Sequence, residues 1–85
     1  MIKLTKFHAS WCAPCKSLSP VIEAVKGENP GVSFSEVDID SSPETAQANH
    51  VRNIPLVIVE GPNGTERISG MNPVHVYNTA IKKVA

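Results

Sequence analysis

Neither sign of charge prevails in this sequence. Eight Lys and Arg stand against eight Asp and Glu, so the formal net charge at pH 7 is zero. There is no basic footprint for nucleic acid and no acidic tail. No apolar run approaches the roughly 20 residues of a membrane-spanning helix, so no membrane partner is expected. Repeats, linkers and low-complexity stretches are missing, which leaves one domain over residues 1–85 with a small core. Met1 opens directly into a strand pattern, so no secretory signal is expected and the compartment read from this is the cytoplasm. Metal ligands are also scarce. There is no second cysteine pair and no His-x₃₋₅-His spacing, so no metal site is expected.

The residues that are present divide into alternating elements. Ile2, Leu4 and Phe7 mark a strand within Met1 to His8. Leu18, Val21, Ile22 and Val25 follow at the i, i+3, i+4, i+7 spacing of one buried helix face,. Gly27 and then Pro30-Gly31 end that helix. Val32 to Val37 form a second strand, whose Ser33, Ser35 and Glu36 suit a polar sheet edge,. Ser42-Pro43-Glu44 reads as a helix start with a capping serine, a proline in the first helical position and an acid in the first turn. That helix ends near Asn49, and His50 and His75 read as helix-surface residues. Leu56 to Val59 form a third strand. Gly61-Pro62-Asn63-Gly64 turns the chain back through Glu66-Arg67-Ile68,. Asn72-Pro73 opens a last helix with Val74, Tyr77, Ile81 and Val84 inside. The order is β-α-β-α-β-β-α. Right-handed crossovers place the first strand between the second and third, giving a mixed α/β sheet of order 2-1-3-4 with the fourth strand antiparallel.

The only two cysteines lie in Trp11-Cys12-Ala13-Pro14-Cys15-Lys16. Two thiols separated by two residues on the first turn of a helix make a redox-active pair. They sit after a strand, at the carboxyl end where open α/β sheets place their chemistry. Unpaired N–H groups and the helix dipole there stabilise a thiolate on Cys12. A purely structural disulfide is the weaker reading, because closing so short a loop removes only about 2 kcal/mol of unfolded-chain entropy. Pro14 offers no N–H and fixes its own backbone, so it helps set how well the thiolate is held.

This arrangement resembles the thioredoxin family across essentially the whole chain. Ile54-Pro55 opens the run Leu56-Val57-Ile58-Val59 about forty residues after the cysteines, as the family's cis-proline opens its third conserved strand. Pro20 falls five residues after Cys15, where thioredoxins kink the active-site helix, and Gly70 occupies the family's conserved glycine position. The resemblance implies a thioredoxin-like three-layer sandwich and a protein-disulfide reductase without a bound cofactor. It implies Cys12 as nucleophile and Cys15 as resolving thiol, with Trp11 as an apolar lip and Ala13 in place of the commoner glycine. Ala13, Pro14 and Lys16 complete the support of the pair. Ile54, Pro55 and Gly70 become the substrate-binding positions. The implied partners are disulfide-containing proteins and an NADPH-dependent thioredoxin reductase, with the chain acting as a monomer. Many members carry an extra amino-terminal strand and helix, which this chain lacks. The second strand then becomes an edge, and Lys3 and Thr5 sit on the face that the helix would cover.

One pair of residues departs from the family pattern. Thioredoxins usually bury an aspartate six residues before the first cysteine and pair it with a lysine on the neighbouring strand. Here those positions hold Lys6 and Glu36. One reading is that the pair meets and handles the proton of the resolving cysteine. The other is that both side chains reach solvent. His8 stands where the family often has a second tryptophan and reads as a surface or half-buried histidine. Two rival functions remain open at this point. A glutaredoxin-like redoxin would use glutathione, although Trp11, Ile54 and Gly70-Met71-Asn72 all depart from glutathione-binding patterns. A docking module would use the fold as a surface, with the thiols incidental.

Overall fold

The computed structural model describes all residues, 1–85. The chain forms β1 (Lys3–His8), α1 (Ala13–Glu28), β2 (Ser33–Asp38), α2 (Pro43–Ala48), β3 (Leu56–Gly61), β4 (Gly64–Ser69) and α3 (Val74–Val84). The four strands make one sheet in the order β2-β1-β3-β4. β2 runs parallel to β1, β3 antiparallel to β1, and β4 antiparallel to β3. The direction of β3 corrects the expectation that right-handed crossovers govern both connections. Helix α2 has only six residues, about 9 Å at 1.5 Å per residue. A six-residue strand is about 20 Å long. So short a helix does not carry the chain back along the sheet, and β3 starts at the end where β2 finishes.

The two-residue period of the strands divides the apolar residues between two layers. Leu4, Val57 and Val59 face α1 and α3 and pack with Leu18, Ile22, Val25, Tyr77, Ala80, Ile81 and Val84. Phe7, Leu56 and Ile58 face the other way, against Val37, Ile39, Val51 and Ile54. The interior spacing read from α1 holds, with Val21 half-buried at the edge of that face. Lys3 and Thr5 share the face of Phe7. Lys3 is exposed, and Thr5 is half-buried with its hydroxyl 3.3 Å from that of Ser35. Ser33 and Glu36 are exposed on β2, which forms the sheet edge.

Two local expectations are corrected. Ser42 occupies the N-cap of α2, but its side chain makes no capping hydrogen bond; its backbone N–H donates to the Asp38 carbonyl instead. His50 lies beyond the end of α2 at φ 54°, in the left-handed region, and is not on the helix surface. Its carbonyl and that of Asn49 accept from the Arg67 guanidinium, at 3.0 and 2.8 Å. That tie fastens the end of α2 to β4.

Gly61 ends β3 against the last turn of α3. A Cβ there would lie 2.8 Å from Val84 Cγ2 and closer still to the Val84 carbonyl oxygen. Asn63 fastens the same junction, its N–H bonding Val84 O and its side chain bonding Ala85 O. Gly61→Ala is expected to destabilise the fold by about 1–3 kcal/mol through overpacking. Gly27→Ala, where a Cβ meets nothing within 4 Å, is expected to stabilise it by about 0.5 kcal/mol through helix propensity. Urea denaturation of the two variants should move the midpoint in opposite directions.

Tyr77 is the only tyrosine and is fully buried. Burial raises its hydroxyl above the ordinary value of 10.0, with Asn72 opposing the rise,. The unfolded chain therefore loses this proton first as the pH climbs. The stability tied to Tyr77 is intact below pH 10 and is lost as pH rises through the folded value. Ultraviolet tyrosinate absorbance should titrate at higher pH in the native protein than in denaturant. Tyr77→Phe should flatten the loss of stability above pH 10.

Candidate active site

Helix α1 carries a proline in its first turn, which leaves one backbone donor fewer to satisfy there,. Cys12 is the N-cap, in an extended conformation, and Pro14 lies in the first turn without an N–H,. The Cys15 N–H donates to Cys12 Sγ at 3.2 Å, and the Lys16 N–H donates to the Cys12 carbonyl at 3.3 Å. A sulfur thus fills the role that a serine or aspartate oxygen usually fills at an N-cap. A thiolate there gains a direct donor and the positive end of a 16-residue helix,. Cys12 and Cys15 are joined as a disulfide with Cα atoms 5.3 Å apart. Both are buried, Cys12 at 5% and Cys15 at 2% exposure, so Cys12 is slightly the more open. Ala13, Pro14 and Lys16 are exposed around them.

Loops from two other places close on the pair. Ile54 and Ile39 pack against the small cluster of Ala9, Cys12 and Cys15. The Ile54–Pro55 bond is cis, and Pro55 is buried. Gly70, at φ 75°, donates its N–H to the Pro55 carbonyl at 2.9 Å. This left-handed conformation favours glycine. The structure therefore brings Ile54, Pro55 and Gly70 together, with Ile54 against the cysteines. Trp11 is 67% exposed, and its indole N–H donates to Asp40 Oδ2 at 2.8 Å. Asp40 is itself set by a turn in which Asp38 Oδ1 accepts from the Asp40 N–H at 2.9 Å. The indole is thus pinned at its polar edge and leaves apolar surface facing solvent.

Lys6 and Glu36 are direct partners in the β1–β2 register. Lys6 is 3% exposed, so the reading in which both side chains reach solvent fails for the lysine. Its Nζ lies 3.4 Å from Glu36 Oε1 and donates to Ser19 Oγ at 2.9 Å. Glu36 remains open, its side chain 64% exposed. Lys6 and Glu36 line a cleft of about 170 Å³ with Cys15, Ser19, His8 and Lys16. No group of three or more His, Cys, Asp or Glu side chains gathers in the chain to hold a metal ion. No helix is long and apolar enough to cross a membrane.

Sequence reasoning missed Ser19 and Asp40. Ser19 carried a usable signal, since it lies one helical turn beyond Cys15 on the same face. Asp40 carried none, because only the course of the chain after β2 brings it to Trp11.

Known proteins resemble this chain throughout. The family described as Thioredoxin matches residues 2–83. The thioredoxin of Chlamydia trachomatis is 45% identical over 69 residues, covering 80% of this chain and 68% of the relative. Thioredoxin-1 of Saccharomyces cerevisiae is 35% identical over 72 residues, covering 82% and 69%. Among solved structures, Fasciola hepatica thioredoxin superposes with a TM-score of 0.85 at 30% identity, covering 99% of this chain and 81% of the other. Oxidised mitochondrial thioredoxin 3 of Saccharomyces cerevisiae gives 0.86 at 27% identity, covering 95% and 77%.

Proposed function

The chain belongs to the thioredoxin family and is a thiol–disulfide oxidoreductase, and from that premise we propose that Cys12 attacks protein disulfides and Cys15 resolves the product. The observation that carries the assignment is the Cys15 N–H aimed at Cys12 Sγ on the helix N-cap. Only a thiolate attacks a disulfide, and this donor stabilises the Cys12 thiolate. Cys12 takes one sulfur of the substrate into a mixed disulfide and releases the other as a thiolate. Cys15 then attacks Cys12 Sγ, the bond to the substrate breaks, and the oxidised pair is left behind. The electrons reside in the two sulfurs, so the cycle calls for no bound cofactor.

Substrate chains dock in this reading along Ile54, Pro55 and Gly70, beside the Trp11 lip. The backbone of Ile54 pairs with the incoming strand, while the indole covers the apolar part of the contact. The pair is re-reduced by an NADPH-dependent thioredoxin reductase, which provides the cycle's electron transport. A couple maintained this way belongs in a reducing compartment, which supports a cytoplasmic site of action. In this reading the chain acts as a monomer, as a single domain over residues 1–85.

Two measurements test this reading. With dithiothreitol as electron source, the protein should reduce the disulfides of insulin. Cys12→Ser should abolish turnover, and Cys15→Ser should stop turnover but trap a substrate adduct on Cys12. An adduct on Cys15 in the Cys12→Ser protein would reverse the two roles.

The choice of electron donor separates this reading from a glutathione-dependent one. Thioredoxin reductase with NADPH should reduce the Cys12–Cys15 disulfide, and glutathione should reduce it negligibly. Efficient turnover in a glutathione-coupled assay would favour the glutaredoxin-like alternative. A docking module, in contrast, would keep its biological effect after both cysteines are changed to serine.

A further inference from the structure

We propose that the cavity between Arg52 and Arg67 binds an acidic side chain of the disulfide-containing protein and so selects among substrates. The proposal rests on the docking of substrate along Ile54, Pro55 and Gly70 described above. The chain has only two arginines. Both line this one cavity of about 140 Å³, together with His50, Asn53, Leu56 and Ser69. No acidic side chain lines it. The ion pairs of the chain are Lys6–Glu36 and Lys83–Glu66, so neither arginine has a carboxylate partner. Both arginines and His50 are exposed, and a partner reaches them from solvent. In a chain of zero net charge this is a local excess of positive charge.

The fold builds the cavity from segments far apart in sequence. Leu56 and Ser69 are cross-strand partners, and Arg67 lies two residues before Ser69 on the same face of β4,. The Arg67 guanidinium donates to the carbonyls of Asn49 and His50 at 2.8 and 3.0 Å. Those bonds hold it in place and leave other N–H donors for a ligand. A guanidinium fixed beforehand loses less freedom when an acid arrives. His50 adopts φ 54°, a backbone that glycine takes at less cost, yet the residue there brings an imidazole to the cavity wall. Asn53 directly precedes Ile54, and Ser69 directly precedes Gly70, whose N–H bonds the Pro55 carbonyl. The cavity therefore adjoins the docking row. An extended segment paired with Ile54 sends alternate side chains to opposite sides, and the cavity lies on one of them. A carboxylate matches the fork of a guanidinium, whereas a lysine or arginine in its place meets like charge.

The test uses short peptides whose single cysteine is joined by a disulfide to thionitrobenzoate. Release of the coloured thiol then reports attack by the reduced protein, with no reductase present. The peptides differ only beside the cysteine, where glutamates, glutamines or lysines stand before it or after it. With the acids on the side that faces the cavity, the glutamate peptide should react about fivefold faster than its glutamine counterpart at low salt. The lysine peptide should be slower than either. Salt at about 0.5 M should remove the preference, because the groups are exposed. Arg52→Gln and Arg67→Gln should each bring the glutamate-to-glutamine ratio below about twofold. Lys82→Gln, which removes the same charge from the far end of α3, should keep the full ratio. Arg67 also fastens α2 to β4, so Arg52→Gln decides the matter if Arg67→Gln does not fold. Equal rates for glutamate and glutamine on both sides of the cysteine would overturn the proposal. So would a ratio that survives Arg52→Gln, or one that Lys82→Gln lowers as much. A failure of the underlying cycle looks different: no peptide of the set would release the coloured thiol.

Discussion

The N–H groups in the first turn of a helix have no partners within the helix, so any helix that begins in the interior must supply acceptors. In this chain the acceptor is the sulfur of Cys12. Pro14 removes one donor from the turn, and the Cys15 N–H closes on the sulfur one turn away. The same geometry that satisfies the helix end also holds the two sulfurs within bonding reach and favours a thiolate on the first. Structural need and reactivity are met by one contact. This is why the site sits at the start of α1.

The surrounding loops meet at that point because β3 is antiparallel to β1. His8 ends β1 and Leu56 begins β3 at the same end of the sheet. The Ile54–Pro55 segment therefore arrives beside the loop that leads into α1. β4 returns to that end through its register with β3 and delivers Gly70, whose N–H bonds the Pro55 carbonyl. A parallel β3 would start at the opposite end, about 20 Å away for strands of this length. The short α2 thus decides where the substrate-facing loop lies, although it contributes only Ala46 to the buried interior.

The underside of the site shows how an interior charge is tolerated. Lys6 occupies a core-facing position between Leu4 and the end of β1, and no buried side-chain polar atom in the structure lacks a partner. Its stem fills space among apolar neighbours while its ammonium reaches Ser19 and the edge strand. β2 being the sheet edge matters here. Glu36 pairs with the lysine and still keeps contact with water, which spares the second charge most of its desolvation cost.

Much of this architecture was legible in the sequence, for reasons that are local. The apolar periodicities of residues 18–25 and 74–84 identify two helices, because burial of one face repeats at the helical period. Pro-Gly and Gly-Pro-Asn-Gly mark turns because few residues adopt the needed backbone. Cys12, Cys15 and their position on a helix start follow from spacing alone, and Ile54-Pro55 and Gly70 follow from family resemblance. Other features are relations between distant segments, to which no local pattern points. The direction of β3, the pairing of Trp11 with Asp40, the Arg67 tie to the end of α2 and the Ser19 contact of Lys6 are all of this kind. The sequence by itself determined which residues carry the redox chemistry, because helix-start chemistry is written within a few neighbouring positions. Only the tertiary structure decided that Lys6 is buried and Glu36 exposed, since that difference comes from one strand lying inside the sheet and the other at its edge.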